Sequence, residues 1–160
     1  MPRSVDAAAR GQVEELLARY SHAIDNDALE TWPAFFVEDG QYLVTTRENY
    51  ARGWPIGVMY CDGQGMMQDR ITALRQAIVF EPHVYRHIVG STLIEAADDG
   101  SYTAQSNFHV LRTGADGAIV TYGSGRYLDE IVADSGRLRF RKRTVVLDSS
   151  RIDTLLVIPL

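Results

Sequence analysis

Ser101-Tyr102-Thr103-Ala104-Gln105-Ser106-Asn107-Phe108-His109-Val110-Leu111-Arg112-Thr113, closed by Gly114-Ala115-Asp116-Gly117, is the stretch that decides the fold. Its Thr, Tyr, Phe and Val content suits a pleated, half-buried surface, and Gly with Asp at its end supplies a turn. Segments of the same kind occupy 84–97, 117–132 and 137–148, set apart by Asp98-Asp99-Gly100 and Asp134-Ser135-Gly136. Four long strands joined by turns predict an antiparallel meander.

Upstream the period changes. Val13, Leu16, Leu17, Tyr20 and Ile24 form the i, i+3, i+4, i+7 stripe of an amphipathic helix, with Glu14, Glu15 and Arg19 outside. Asp25-Asn26-Asp27 stops it and caps a second helix carrying Leu29, Trp32 and Phe36, which Pro33 makes short, kinked or partly 3₁₀. Gln41 to Thr46 reads as a strand, and Arg47 to Gly65, with four glycines and no steady period, as a long loop. A third helix places Met67, Ile71, Leu74 and Ile78 on one side and ends at Pro82. Helices first and hairpins after predict an α+β fold, with the helices packed on one face of a strongly curved antiparallel sheet.

The 160 residues suit one domain: a tail at 1–11, then a single domain over 12–160. Hydrophobic residues make up 46% and charged residues 23%, ordinary for a chain that folds alone. The net charge of −5 argues against a nucleic-acid partner. Residues 1–11 lack the apolar core of a secretory signal and no apolar run reaches a membrane span, so a cytoplasmic protein with Cys61 reduced is expected.

One cysteine and four histidines limit the chemistry. A single thiol supplies neither a disulfide, nor a four-cysteine zinc site, nor the paired C-x-H and C-x2-H ligands of a Rieske cluster. His83 and His87 would share a metal on a helix, but the run Val84, Tyr85, Ile88, Val89 favours a strand, where four residues span about 13 Å. No metal or cofactor site is assigned to this chain. His22 and Asp25 stand three apart and read as a helix-end contact. Gly123-Ser124-Gly125 lacks the nucleophile-elbow spacing and implies close packing or a bulge. Cys61 beside Asp62 has an unfavourable setting for a thiolate.

Two constellations remain. Tyr20, Asp25, Tyr42, His87 and His109 could converge between sheet and helices, as proton abstraction or dehydration beside a carbonyl requires. His109 shares its strand face with Thr103, Gln105, Asn107 and Leu111, a set that lines a pocket or faces solvent or another subunit. Arg137, Arg139, Arg141 and Arg143 fall at every second position of the last strand, so the period-two rule puts all four on one face, with Glu130 available across the hairpin. That face is solvated, or is a subunit interface, or, third, binds phosphate. The apolar tail Leu155-Leu156-Val157-Ile158-Pro159-Leu160 packs on its own sheet or on a neighbouring chain, so Leu155, Leu156, Ile158 and Leu160 join the interface candidates.

Across residues 12 to 160 the chain resembles the small, or β, subunits of aromatic-ring-hydroxylating Rieske dioxygenases. The resemblance is carried by Tyr20, Asp25 and Asp27, by Trp32-Pro33-x-Phe35-Phe36-x-x-Asp39 leading to Tyr42, and by Asp69-Arg70-Ile71-x-x-Leu74-Arg75. It continues with Tyr85-Arg86-His87 and Gly125-Arg126-Tyr127-x-Asp129. The ending, Asp148-Ser149, Asp153-Thr154-Leu155 and Pro159-Leu160, is similar to small subunits acting on carboxylated aromatics such as terephthalate. The resemblance implies the cone-shaped nuclear-transport-factor-2-like fold shared with SnoaL and ketosteroid isomerase. It also implies a non-catalytic subunit that trimerises within an α3β3 complex. The partner α (large) subunit would hold the Rieske 2Fe-2S cluster and the mononuclear iron, and no catalytic residue carries over to this chain. A stand-alone isomerase or scytalone-dehydratase-like enzyme using Asp25, Tyr42, His87 and His109 is the alternative, and a ligand-binding module without chemistry is a third reading.

Overall fold

Asp6 opens the first helix, its carboxylate accepting the Ala9 N–H at 2.7 Å. The computed structural model describes residues 3–55, 57–77, 83–150 and 158–160, and in it α1 runs Ala7–Asp25. Val13, Leu16, Leu17, Tyr20 and Ile24 all face inward, as the stripe requires. Asp27 has a left-handed backbone, φ 58°, which reverses the chain into a 3₁₀ helix, Leu29–Phe35, containing Pro33. Leu29, Trp32 and Pro33 are buried there.

β1 spans Phe36–Thr46, starting earlier than Gln41. The stretch read as a long loop contains two ordered elements. α2, Arg47–Ala51, is capped by the Thr46 hydroxyl accepting the Asn49 N–H, and β2, Met59–Asp62, alternates buried and exposed residues. Elements of five and four residues are too short to impose a visible period on the sequence. α3, Gln64–Ala77, buries Met67, Ile71 and Leu74. Ile78 and Pro82 lie outside the described residues.

The second half follows the meander: β3 His83–Ala96, β4 Tyr102–Gly114, β5 Ile119–Asp134 and β6 Arg137–Leu147. The sheet order is β2-β1-β6-β5-β4-β3. The expected all-antiparallel sheet is corrected here, because β1 lies parallel to β6, with Gln41 opposite Lys142 and Thr46 opposite Leu147. That pairing makes β6 a central strand, and Arg143 through Val146 are buried with Leu147 whichever face they take. α1 and α3 pack against the sheet, and α2 reaches β1 and β6.

The core is aromatic. Trp32 and Tyr42 meet edge-to-face at 5.0 Å, Tyr20 and Phe140 at 5.5 Å, and Phe36 and Phe140 lie tilted at 5.4 Å. Gly125 has a packing reason, since a Cβ there would collide with the Val146 carbonyl oxygen. The reading of Gly123-Ser124-Gly125 as close packing beside a bulge holds, with the β4–β5 register shifting between Val110 and Leu111.

A bulge also breaks β6. Ile131 pairs with Phe140 and Glu130 with Lys142, so Arg141 is left over between them. One extra residue exchanges the faces of everything beyond it. Arg143 therefore turns inward, 1% exposed, which corrects the expectation that four arginines share a face. Arg137 and Arg141 remain exposed. Arg139 pairs with Asp134 at 3.3 Å and donates to the Ala34 carbonyl. Glu130 faces Lys142 rather than an arginine.

Candidate functional site

The end of α1 and the inner face of β3 bring Asp25 and His87 together. Asp25 Oδ1 lies 2.6 Å from His87 Nδ1, and Oδ2 accepts the His87 backbone N–H at 2.9 Å. The two side chains are 2% and 1% exposed. β3 closes the sheet at one edge, so its outer N–H groups have no strand to bond, and Asp25 takes one of them. The imidazole Nε2 is buried without a hydrogen-bond partner, and so is the Tyr127 hydroxyl. His22, read with Asp25 as a solvated helix-end contact, is exposed on the helix end.

Tyr20 and Tyr42 converge on a different group. Trp32 Nε1–H donates to the Tyr20 oxygen at 3.1 Å, and Tyr20 donates to the Leu160 carbonyl at 2.8 Å. The Tyr42 hydroxyl accepts the Leu160 N–H at 2.8 Å and donates to the Leu160 carbonyl at 3.1 Å. Burial pushes both phenols above their ordinary pKa, Tyr42 further. Their oxygens are thus engaged by this chain's own backbone. Ile158 and Leu160 are buried in the interior, and Leu155 and Leu156 lie outside the described residues.

Arg143 occupies the same interior. It forms a bidentate pair with Asp129, Nε to Oδ1 at 2.8 Å and Nη2 to Oδ2 at 2.9 Å. Its guanidinium carbon lies 3.9 Å from the centre of Tyr127, 4.2 Å from Tyr20 and 4.3 Å from Phe140. Burial opposes the charge, and the Asp129 carboxylate more than offsets it, holding Arg143 protonated. Sequence reasoning missed this pair. An unbroken register counted from the Asp134-Ser135-Gly136 turn sets Asp129 opposite Lys142, and only the bulge brings it to Arg143.

His109 does not join. It sits on the other face of β4, opposite Ile88 and Ser124, with its Nε2 at 3.3 Å from the Thr121 hydroxyl. His83 belongs to a strand, so the H-x3-H pair has no helical face. Cys61 is a buried free thiol on β2, and burial pushes its pKa up. Among the described residues no three His, Cys, Asp or Glu side chains group as metal ligands, and no helix is long and apolar enough to cross a membrane.

Three surface cavities border other residues. A groove of about 850 Å³ runs between α1 and the β5–β6 hairpin, past Leu16, Arg19, Phe35 and Leu138. A hollow of about 520 Å³ on the sheet holds Arg47, Gln105, Asn107, Arg126 and Asp148. A smaller one of about 290 Å³ touches Leu17, Val89 and Thr92. None of the three is lined by Asp25, Tyr42, His87 or His109.

Residues 5–144 match the model of the SnoaL-like domain. Over 149 residues the chain is 41% identical to a terephthalate 1,2-dioxygenase terminal oxygenase component β subunit from Comamonas sp, covering 93% of this chain and 97% of that one. It is 38% identical, over 93% of this chain and 92% of the other, to the anthranilate 1,2-dioxygenase small subunit of Burkholderia cepacia. A solved structure from Novosphingobium aromaticivorans, assigned as an aromatic-ring-hydroxylating dioxygenase β subunit, superposes with a TM-score of 0.86 at 36% identity, covering 96% and 97% of the two chains.

Proposed function

The chain belongs to the small, or β, subunits of aromatic-ring-hydroxylating dioxygenases, built on the SnoaL-like domain, and from that premise we propose that it is a structural subunit with no active site of its own. It is a component of an oxidoreductase complex, and its partner is a large α subunit. The observation that carries the non-catalytic reading is the filled interior. The two phenol oxygens a substrate would have to reach are bonded to Leu160, and Arg143 is held by Asp129 through Nε and Nη2, with its Nη1 closed off from solvent in an aromatic cage. A general acid or base must lie within hydrogen-bond reach of the proton it moves, and the Tyr20 and Tyr42 phenols already have partners.

The Rieske 2Fe-2S cluster and the mononuclear iron belong, in this proposal, to the α subunit. The described residues of this chain do not fit either group, since neither thiolate pairs nor a cluster of imidazoles and carboxylates is present among them. We further propose self-association as a trimer within an α3β3 complex in the cytoplasm, acting on carboxylated aromatics. Support for self-association comes from exposed apolar residues on the outer face of the sheet, Ile88 at 57% and Leu93 at 68%. Arg137 and Arg141 stay available to an interface, while Arg143, Ile158 and Leu160 are turned inward and leave it.

Co-expression with the large subunit encoded beside it tests the proposal. The expected product is a mixed complex holding iron, with the isolated small subunit colourless and iron-free. A chain that never copurifies with a large subunit sinks the reading. The buried Asp25–His87 pair favours the second reading, a stand-alone isomerase or dehydratase, now without His109. Turnover by the isolated chain that is lost in His87→Ala and kept in His109→Ala would establish that reading instead.

A further inference from the structure

The hollow of about 520 Å³ on the outer face of the sheet is lined by five polar side chains beside Phe108, Gly125 and Val146. Arg47 and Arg126 supply two guanidinium groups, Gln105 and Asn107 two carboxamides, and Asp148 one carboxylate. Asn107 and Arg126 are direct cross-strand partners, so their side chains rise side by side. Asp148 is partly occupied already. It accepts the Ser124 hydroxyl at 3.2 Å and stands 3.8 Å from Arg47, a long and exposed ion pair. Arg126 lies 5.4 Å over the Tyr50 ring, half-buried, and among the described residues it forms no ion pair.

A half-buried guanidinium flanked by amides keeps a planar fork of N–H donors whose geometry matches a carboxylate. With Asp148 present the hollow carries one excess positive charge, which suits a monoanion better than a phosphate dianion. We propose that this hollow receives an aspartate or glutamate side chain from a second copy of this chain, with Arg126 as its main partner. Charge complementarity selects that occupant. The chain has 21 acidic residues against 16 basic ones, so a second copy approaches the locally basic hollow with a net negative charge. Glu95 and Glu130 are exposed on the same sheet face, and Ile88 and Leu93 give that face its apolar area. The inference rests on the self-association proposed above.

Light scattering and sedimentation over a dilution series of the isolated chain provide the test. The unmodified chain is expected to self-associate, Arg126→Gln to dissociate at about tenfold higher concentration, and Arg126→Glu to be monomeric throughout. Arg47→Gln should weaken assembly less, and Arg19→Gln, exposed on α1 on the opposite side of the sheet, should not change it. Far-UV circular dichroism checks that each variant folds, and Asn107→Ala replaces any that does not. Assembly of Arg126→Glu at unmodified affinity overturns the inference and leaves the structural-subunit reading standing. A chain that is monomeric alone and also fails to join a large subunit overturns both. Acetate that stabilises the unmodified chain against heat but not Arg126→Gln, with no effect of either on assembly, marks a free-carboxylate site and also overturns the docking.

Discussion

Among the described residues two carboxylates are buried with a basic partner, and they are buried differently. Asp129 meets Arg143 through two parallel hydrogen bonds, inside a cage of Tyr20, Tyr127 and Phe140. Asp25 meets His87 through one ring nitrogen and one backbone N–H, and leaves the far ring nitrogen without a partner. The first pair joins neighbouring strands of the sheet, β5 and β6, whereas the second ties a helix end to the sheet's edge strand. The contrast shows that burial alone does not mark a reactive group. Each partner keeps one buried nitrogen without a hydrogen bond, Nη1 of Arg143 and Nε2 of His87, but the permanently charged guanidinium cannot take up or release a proton there, whereas an imidazole nitrogen can.

Breaking the first pair should cost the most. Asp129→Ala or Arg143→Ala strands a fully buried charge, and a loss of about 3–5 kcal/mol is expected in denaturant unfolding. The double variant Asp129→Leu with Arg143→Met should recover most of that loss, because it removes both charges while keeping volume. If the double variant is as unstable as the singles, the aromatic cage rather than the ion pair holds this region.

Asp25→Ala should cost less, about 1–3 kcal/mol in all, because it leaves hydrogen-bonding groups of His87 unanswered rather than a buried guanidinium. Asp25→Asn keeps an acceptor for the backbone N–H and should lie between Asp25→Ala and the unmodified chain. Equal losses for the two variants would show that the ring contact, not the edge-strand N–H, matters.

Tyr42→Phe deletes the acceptor for the Leu160 N–H while Tyr20 still serves the carbonyl. About 1–2 kcal/mol is expected, together with faster proteolysis of the segment ending at Leu160. An unchanged midpoint would mean that the segment is held by Ile158 and the Leu160 side chain alone.

The smallest effect is alkaline. Burial pushes Tyr85 from 10.0 up to about 12. A pKa raised on folding means that the native state holds its proton more tightly, so this contribution is full below pH 10 and fades as pH rises toward 12. Tyr20, Tyr42 and Tyr127 are displaced in the same direction by burial. Spectrophotometric titration should find these phenols ionising together with unfolding. Early, non-cooperative ionisation would show that the interior admits water.

Much of this architecture was legible. The meander from His83 to Leu147 follows from β-branched and aromatic runs cut by Asp-Gly turns, and the 3₁₀ character of Leu29–Phe35 follows from Pro33. Asp25, Tyr42 and His87 were legible as interior candidates, but not their grouping, because Tyr42 pairs with Leu160 and Asp25 with His87 across 118 and 62 residues of chain. α2 and β2 escaped notice because their lengths are below any period.

The sequence by itself determined the types of the long elements and the lack of a cluster-binding cysteine set, since each is written in local spacing or in composition, while the family entered as a resemblance carried along nearly the whole chain. Only the tertiary structure decided where Arg143 points. One bulged residue at Arg141 inverts the alternation that local spacing implies, and its place in β6 is defined by pairing with β5 across the hairpin on one side and with β1, distant in sequence, on the other.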